Sequence, residues 1–201
     1  PFDAEAYELH ARARMGAWAR DKAEGSPAEG IVLQSMENAI ALRPFSSPFH
    51  AKKAYFHREF RKYYLGLKGG MMAEGMAREH LRLALLHQQR AVDLYPTHAP
   101  IRYGLARLLD DDVRPAEALD QYREALRLSG LAASERYPLQ RLQLDPVGRA
   151  RCLVRLGRRA EAVDALRERP LAPGEVEDEM DALMRGVLRE AVDGILKPKT
   201  P

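Results

Sequence analysis

Apolar side chains recur along the chain at intervals of three and four, and no stretch alternates β-branched and aromatic residues with period two. That pattern predicts helix throughout. A first helix is expected over about Asp3–Lys22, with Ala6, Tyr7, His10, Met15 and Trp18 near one face, broken at Gly25-Ser26-Pro27. A second covers about Ala28–Leu42 and ends at Pro44. Pro48 sits in the first turn of a third, where a missing N–H costs nothing, and this helix runs to about Leu65. Gly66, Gly69 and Gly70 interrupt, and a long helix follows from about Met72 to Leu94, stopping at Pro96. Pro100 opens a helix to about Leu109. Pro115 opens its partner, which is expected to reach Leu128 and stop at Gly130. A short helix is expected over Ala133–Leu142, then a pair, Pro146–Leu156 and Arg159–Arg169, around Gly157. An amphipathic helix over about Val176–Leu196 follows, with a loose polar tail at 197–201.

Helical pairs that end at proline invite a search for a period. Asn38–Pro44, Arg90–Pro96 and Glu124–Gly130 align as second-helix ends, and Ala91 and Ala125 lie thirty-four residues apart. Ala106 is followed after twelve residues by Ala118 and then, after seven, by Ala125; Ala150 precedes Ala162 by twelve. Two antiparallel helices on a short turn approach closely only where side chains are small, so alanines at these intervals mark close helix packing. Leu105, Leu108, Leu109, Leu119, Tyr122 and Leu126 fill the rest of the interface.

This spacing resembles the tetratricopeptide repeat family. Residues 99–132 carry it best, through Leu105, Ala106, Leu109, Ala118, Tyr122, Ala125 and Leu128; Arg102 stands where the family has tryptophan and Gly130 where it has proline. Residues 143–170 match through Ala150, Leu153, Gly157, Ala162 and Leu166, and residues 3–44 only around Ala39 and Pro44. In 47–96, Ala54 and Ala84 lie thirty apart rather than twelve, so eighteen extra residues lengthen both helices and their loop. The resemblance implies an all-α fold, an α-α superhelix of stacked antiparallel hairpins with first helices lining a concave face. Residues 1–196 are then one repeat domain, with units at about 3–44, 47–96, 99–132 and 143–170 and a capping helix at 176–196; a dimer contact is the alternative role for that last helix. It also implies a non-enzymatic scaffold that binds proteins. More loosely, Ala39–Phe45 followed by Phe49-His50 looks like repeats in the soluble C-terminal regions of bacterial O-antigen ligase or polymerase-like membrane proteins, and a start at Pro1 rather than Met fits a domain cut from a longer chain.

Composition narrows the chemistry. The 201 residues are 46% hydrophobic and 30% charged, enough to bury a sizeable core. No run approaches eighteen apolar residues, so no direct membrane insertion is expected of this segment. Net charge is +3, with both signs mixed along the chain; nucleic-acid binding is therefore not expected, and the compartment stays open between bacterial cytoplasm and periplasm. Cys152 is the single cysteine, which excludes an internal disulfide and a multi-cysteine zinc site, and on an apolar face it reads as a buried inert thiol.

No residues are expected to be catalytic, metal-binding or cofactor-binding, and no cofactor is expected. His50 and His57, like His80 and His87, are seven apart on one helix, about 10.5 Å of rise and too far to share a metal, so they read as solvated or interface histidines. Asp110, Asp111 and Asp112 read as the acidic start of a helix. Gly66, Gly69 and Gly70 lack a preceding strand and a following Gly-Lys-Ser/Thr, and read as a hairpin tip. Met71, Met72 and Met76 beside them are expected to pack against a neighbouring helix.

Under the resemblance, first-helix residues three to four apart face the groove: Ala51, Tyr55, Arg58 and Lys62 in the second unit, Tyr103, Arg107 and Asp110 in the third, Val147, Arg151 and Arg155 in the fourth. Tyr55, Arg58, Lys62, Tyr103, Arg107, Arg151 and Arg155 are the candidate partner-binding set. Guanidinium forks and flat phenols suit an acidic or C-terminal peptide. The alternative function is a soluble extracytoplasmic domain of an O-antigen ligase or polymerase-like protein of cell-surface polysaccharide assembly.

Overall fold

The computed structural model describes residues 3–21, 28–67, 70–135, 146–168 and 178–187. Among them the elements are helices: α1 (Ala4–Asp21), α2 (Ala28–Leu42), α3 (Ser47–Gly66), α4 (Gly70–Leu94), α5 (Ala99–Asp111), α6 (Pro115–Glu135), α7 (Pro146–Arg155) and α8 (Arg159–Arg167). Residues 178–187 are also helical; the rest of the expected 176–196 helix, and the tail, lie outside the described residues. The chain divides into two compact units, Pro1–Leu108 and Leu109–Pro201, with the boundary inside α5.

In the first unit α1 and α2 pair antiparallel, because Glu5 meets Arg43 while His10 Nδ1 lies 2.9 Å from Ser35 Oγ. The Asp3 carboxylate caps α1 by accepting from the Ala6 N–H at 2.7 Å. Ala11, Met15, Trp18, Val32, Met36, Ala39, Phe49, Phe56 and Phe60 close the main core. Each buried aromatic there is worth about 1.5–3 kcal/mol over leaving it in water.

The α3/α4 pair is the long hairpin, 20 and 25 residues, and its length absorbs the eighteen-residue excess. Pro48 opens α3, and Ser47 Oγ donates at 2.7 Å to the Ala91 carbonyl near the end of α4, which also accepts from the Tyr95 N–H at 3.1 Å. Ala54, Leu81, Ala84 and Leu108 form a second core cluster. Gln88 Nε2 donates to the Ile101 carbonyl at 2.7 Å, and a Cβ on Gly104 would stand 2.6 Å from that nitrogen, so a side chain there would displace the amide.

In the second unit two turns share one hydrogen-bond pattern. After α5, Val113 N–H donates to Asp110 O and Arg114 N–H to Leu109 O; after α7, Gly157 N–H donates to Val154 O and Arg158 N–H to Leu153 O. Both are helix ends closed by a left-handed residue. Gly157 takes that conformation at φ 76 without strain, whereas Val113 takes it at φ 56 with a branched Cβ. α6 and α7 approach so closely that a Cβ on Gly148 would meet Tyr122 Oη at 2.3 Å.

The repeat alanines behave as their spacing requires: Ala39, Ala54, Ala84, Ala91, Ala106, Ala118, Ala125, Ala150 and Ala162 are all fully buried. Three expectations need correction. α6 does not stop at Gly130 but continues to Glu135, taking up the start of the helix expected at Ala133–Leu142, whose remainder lies outside the described residues. An exposed mid-helix glycine costs only about 1 kcal/mol relative to alanine, too little to end a 21-residue helix. Asp110 does not start a helix; it sits in the last turn of α5, buried. Met71 and Met72 do not pack against a neighbour: they are 88% and 83% exposed.

Candidate functional site

A groove of about 760 Å³ opens between α1 and α3 within the first unit. α3 contributes Lys52, Tyr55, Phe56, Glu59, Lys62, Tyr63 and Gly66, a set spaced three and four apart and therefore one stripe of the helix. α1 contributes Arg12, Met15, Gly16, Trp18 and Ala19, with the small residues Gly16 and Ala19 lowering its wall. The floor is aromatic. The Trp18 ring stands edge-on to Phe60 at 5.0 Å and to Tyr63 at 5.2 Å between centroids, and Phe56 is buried beneath half-exposed Tyr55. The rim is charged: Lys62 pairs with Glu59 at 2.6 Å, while Arg12 and Lys52 share Glu8 at 3.7 and 4.0 Å. Exposed pairs of this kind are worth about 0–1 kcal/mol, so the cations exchange partners at little cost. Burial, then the Glu59 carboxylate, raise the Tyr55 phenol, which stays a neutral hydrogen-bond donor.

Of the residues expected from the sequence, Tyr55 and Lys62 lie together on this groove. Arg58, beside them on α3, does not line the groove and is partly buried. Tyr103 and Arg107 come together on α5, the guanidinium carbon 6.0 Å from the ring centroid. Arg151 and Arg155 also meet, but around Asp110. Arg151 Nε donates to its Oδ2 at 2.8 Å, and Arg155 donates to both its carboxylate and, at 3.1 Å, its carbonyl. The Arg155 side chain is only 10% exposed, so this fork acts inside the second unit. Cys152 Sγ donates to the same carboxylate at 3.5 Å; burial, then the Asp110 charge, push its thiol up to about 12. The cysteine is inert at neutral pH.

Trp18, Tyr63 and the α1 wall were not anticipated. Their signal is the small pair Gly16 and Ala19 beside Met15 and Trp18, which shapes a helix face that a groove can use. His50, His57, His80 and His87 are interface residues between α3 and α4. Among the described residues no three His, Cys, Asp or Glu side chains converge as a metal-ligand set, and no helix is long and apolar enough to cross a membrane.

Helices paired through buried alanines and closed by left-handed turns define the class: an all-α fold of tetratricopeptide-like helical hairpins. The solved structure of MamA (MSR-1, C2), a tetratricopeptide-like helical protein, is similar to this chain, with a TM-score of 0.51 at 16% identity, over 90% of this chain and 78% of that one. No protein-family model matches the sequence, and no curated protein does.

Proposed function

We propose that the chain is a non-enzymatic interaction scaffold that seats a segment of a partner protein in the groove between α1 and α3. The aromatic floor beneath a basic rim carries the reading. Trp18, Phe56 and Tyr63 offer flat apolar contact for one anchoring side chain, and along the edges Arg12, Lys52 and Lys62 stand against two carboxylates, Glu59 and Glu8. A partner segment with an apolar anchor flanked by carboxylates fits both features. From Lys52 to Gly66 the α3 wall rises about 21 Å, the span of about six extended residues.

The repeat units at 3–44, 47–96, 99–132 and 143–170 form, in this reading, one array, with 176–196 as its cap. Tyr103 and Arg107 are a second contact point for the partner. Arg151 and Arg155 serve the array chiefly by holding Asp110, and Arg58 is peripheral. Nothing in the fold favours the O-antigen ligase or polymerase alternative. The experiment is peptide selection on the intact protein, followed by affinity measurement on a variant carrying Lys52→Glu and Lys62→Glu.

A further inference from the structure

The widest interface of the first unit, between α3 and α4, is filled by imidazole rings. In the antiparallel register His50 faces His87 and His57 faces His80, with Nδ1–Nδ1 distances of 3.2 and 3.0 Å. His57 also stacks on His87, 6.0 Å between centroids and 5° from parallel, and His80 stacks on Tyr64 at 5.3 Å and 16°. The four rings and the phenol thus make one continuous column. His50, His57 and His80 are buried and His87 is partly so.

Each Nδ1–Nδ1 contact is a hydrogen bond only while one of the two nitrogens carries no proton. The His50 tautomer follows from its surroundings. Its Nε2 lies 3.1 Å from the Pro44 carbonyl, which can only accept, so Nε2 bears hydrogen and neutral His50 presents a bare Nδ1 to His87. His80 Nε2 lies 3.2 Å from Glu29 Oε1, at ion-pair distance. The charges facing the column come from three helices. α2 supplies Glu29, which also accepts from Tyr64 Oη at 2.9 Å, and Glu37, which pairs with Lys53. α3 supplies Lys53 itself, its side chain 4% exposed, and α4 supplies Arg90 near His50 and the exposed carboxylate Glu79 near His80 and His57. A second proton on either pair would set N–H against N–H beside a buried cation.

We propose that this column is an acid-released latch: neutral, it joins α3 to α4; protonated, it parts them and loosens the α3 wall. The latch stands without the groove reading, which supplies only its consequence for binding. Burial foremost, then the neighbouring His80 ring and Lys53, hold His57 down at about 3. Burial and then Lys53 hold His87 at about 4, and burial lowers His50 below its usual value. The folded chain therefore binds fewer protons than the unfolded chain once pH falls below about 6.5, and stability drops from there toward the folded values. Carboxylates protonate in the unfolded chain near 4.5, and Glu29 is held lower when folded, so histidines dominate between pH 6.5 and 5. His98, lowered by burial outside the column, adds to that slope and is left unchanged by substitutions at His57 and His87.

The test is the unfolding equilibrium constant of the whole chain from pH 7.5 to 5. It should rise at least about tenfold per pH unit between 6 and 5, and His57→Gln with His87→Gln should flatten that slope. A constant that does not move over this range, or a variant slope as steep as the original, would overturn the latch. Should the double variant not fold, amide exchange of the unmodified chain decides. Opening across 47–66 and 70–94, corrected for intrinsic rates, should increase at pH 5 more than across 146–167; an equal or smaller increase would overturn it.

Discussion

The α3/α4 hairpin joins helices of 20 and 25 residues over four histidine rings; the α7/α8 hairpin joins helices of 10 and 9 residues over Ala150, Ala162 and Ala165. Both pairs run antiparallel, and both exclude water from the face they share. In the short hairpin alanine sets the approach, Leu153 and Leu166 fill the remaining space, and Gly157 makes the turn at no conformational cost. No histidine lies in that hairpin, whose charged contacts are Arg149 with Glu168 at 2.6 Å and Arg151 and Arg155 with Asp110, so its stability should be insensitive to acid between pH 6.5 and 5. In the long hairpin the interface is wide enough for rings, and the rings satisfy one another's hydrogen bonds only when neutral. The comparison teaches that one hairpin plan can be built as a permanent clasp or as a conditional one, depending on what stands at the seam.

The largest effect should come from removing what anchors the short hairpin. Asp110→Ala leaves Arg155 buried without its counter-charge, and loss of one partner from a buried pair costs about 3–5 kcal/mol. The unfolding free energy from denaturant titration should fall accordingly; a fall under about 1 kcal/mol would mean that Asp110 does not hold α7. Gly148→Ala should come next, costing about 1–3 kcal/mol, because the new methyl would overlap the Tyr122 hydroxyl. Adding Tyr122→Phe should recover part of that loss by removing the nearest atom, and no recovery would place the strain elsewhere. The smallest effect is a gain. Val113→Gly copies the Gly157 turn into the end of α5 and relieves a branched residue of φ 56, for about 0.5–1 kcal/mol of stabilisation read as a higher thermal midpoint.

Helix bounds were legible at the prolines. Pro48, Pro115 and Pro146 open α3, α6 and α7 within a residue, and Pro44 and Pro96 close α2 and α4. They failed at Gly130, where propensity alone is too weak to end a helix that buries Leu128 and Ser129. Long-range pairing was not legible. Asp110 looked like surface charge because its partners stand forty-one and forty-five residues later. The histidine spacing of seven was read along one helix, where it separates ligands. Read across an assumed hairpin, 50 with 87 and 57 with 80 fall in one antiparallel register, and the column becomes visible. The same limit applies to the groove. Tyr55 and Lys62 followed from the period of α3, but the wall from α1 needed the fold of the unit.

The claim that α1 and α3 seat a partner segment is tested most directly by peptide affinity on the paired charge reversal. Peptides selected against the intact protein should lose about tenfold or more in affinity when Lys52→Glu and Lys62→Glu are introduced together, with helicity and midpoint unchanged. Equal affinity for the original and the reversed protein would contradict the claim.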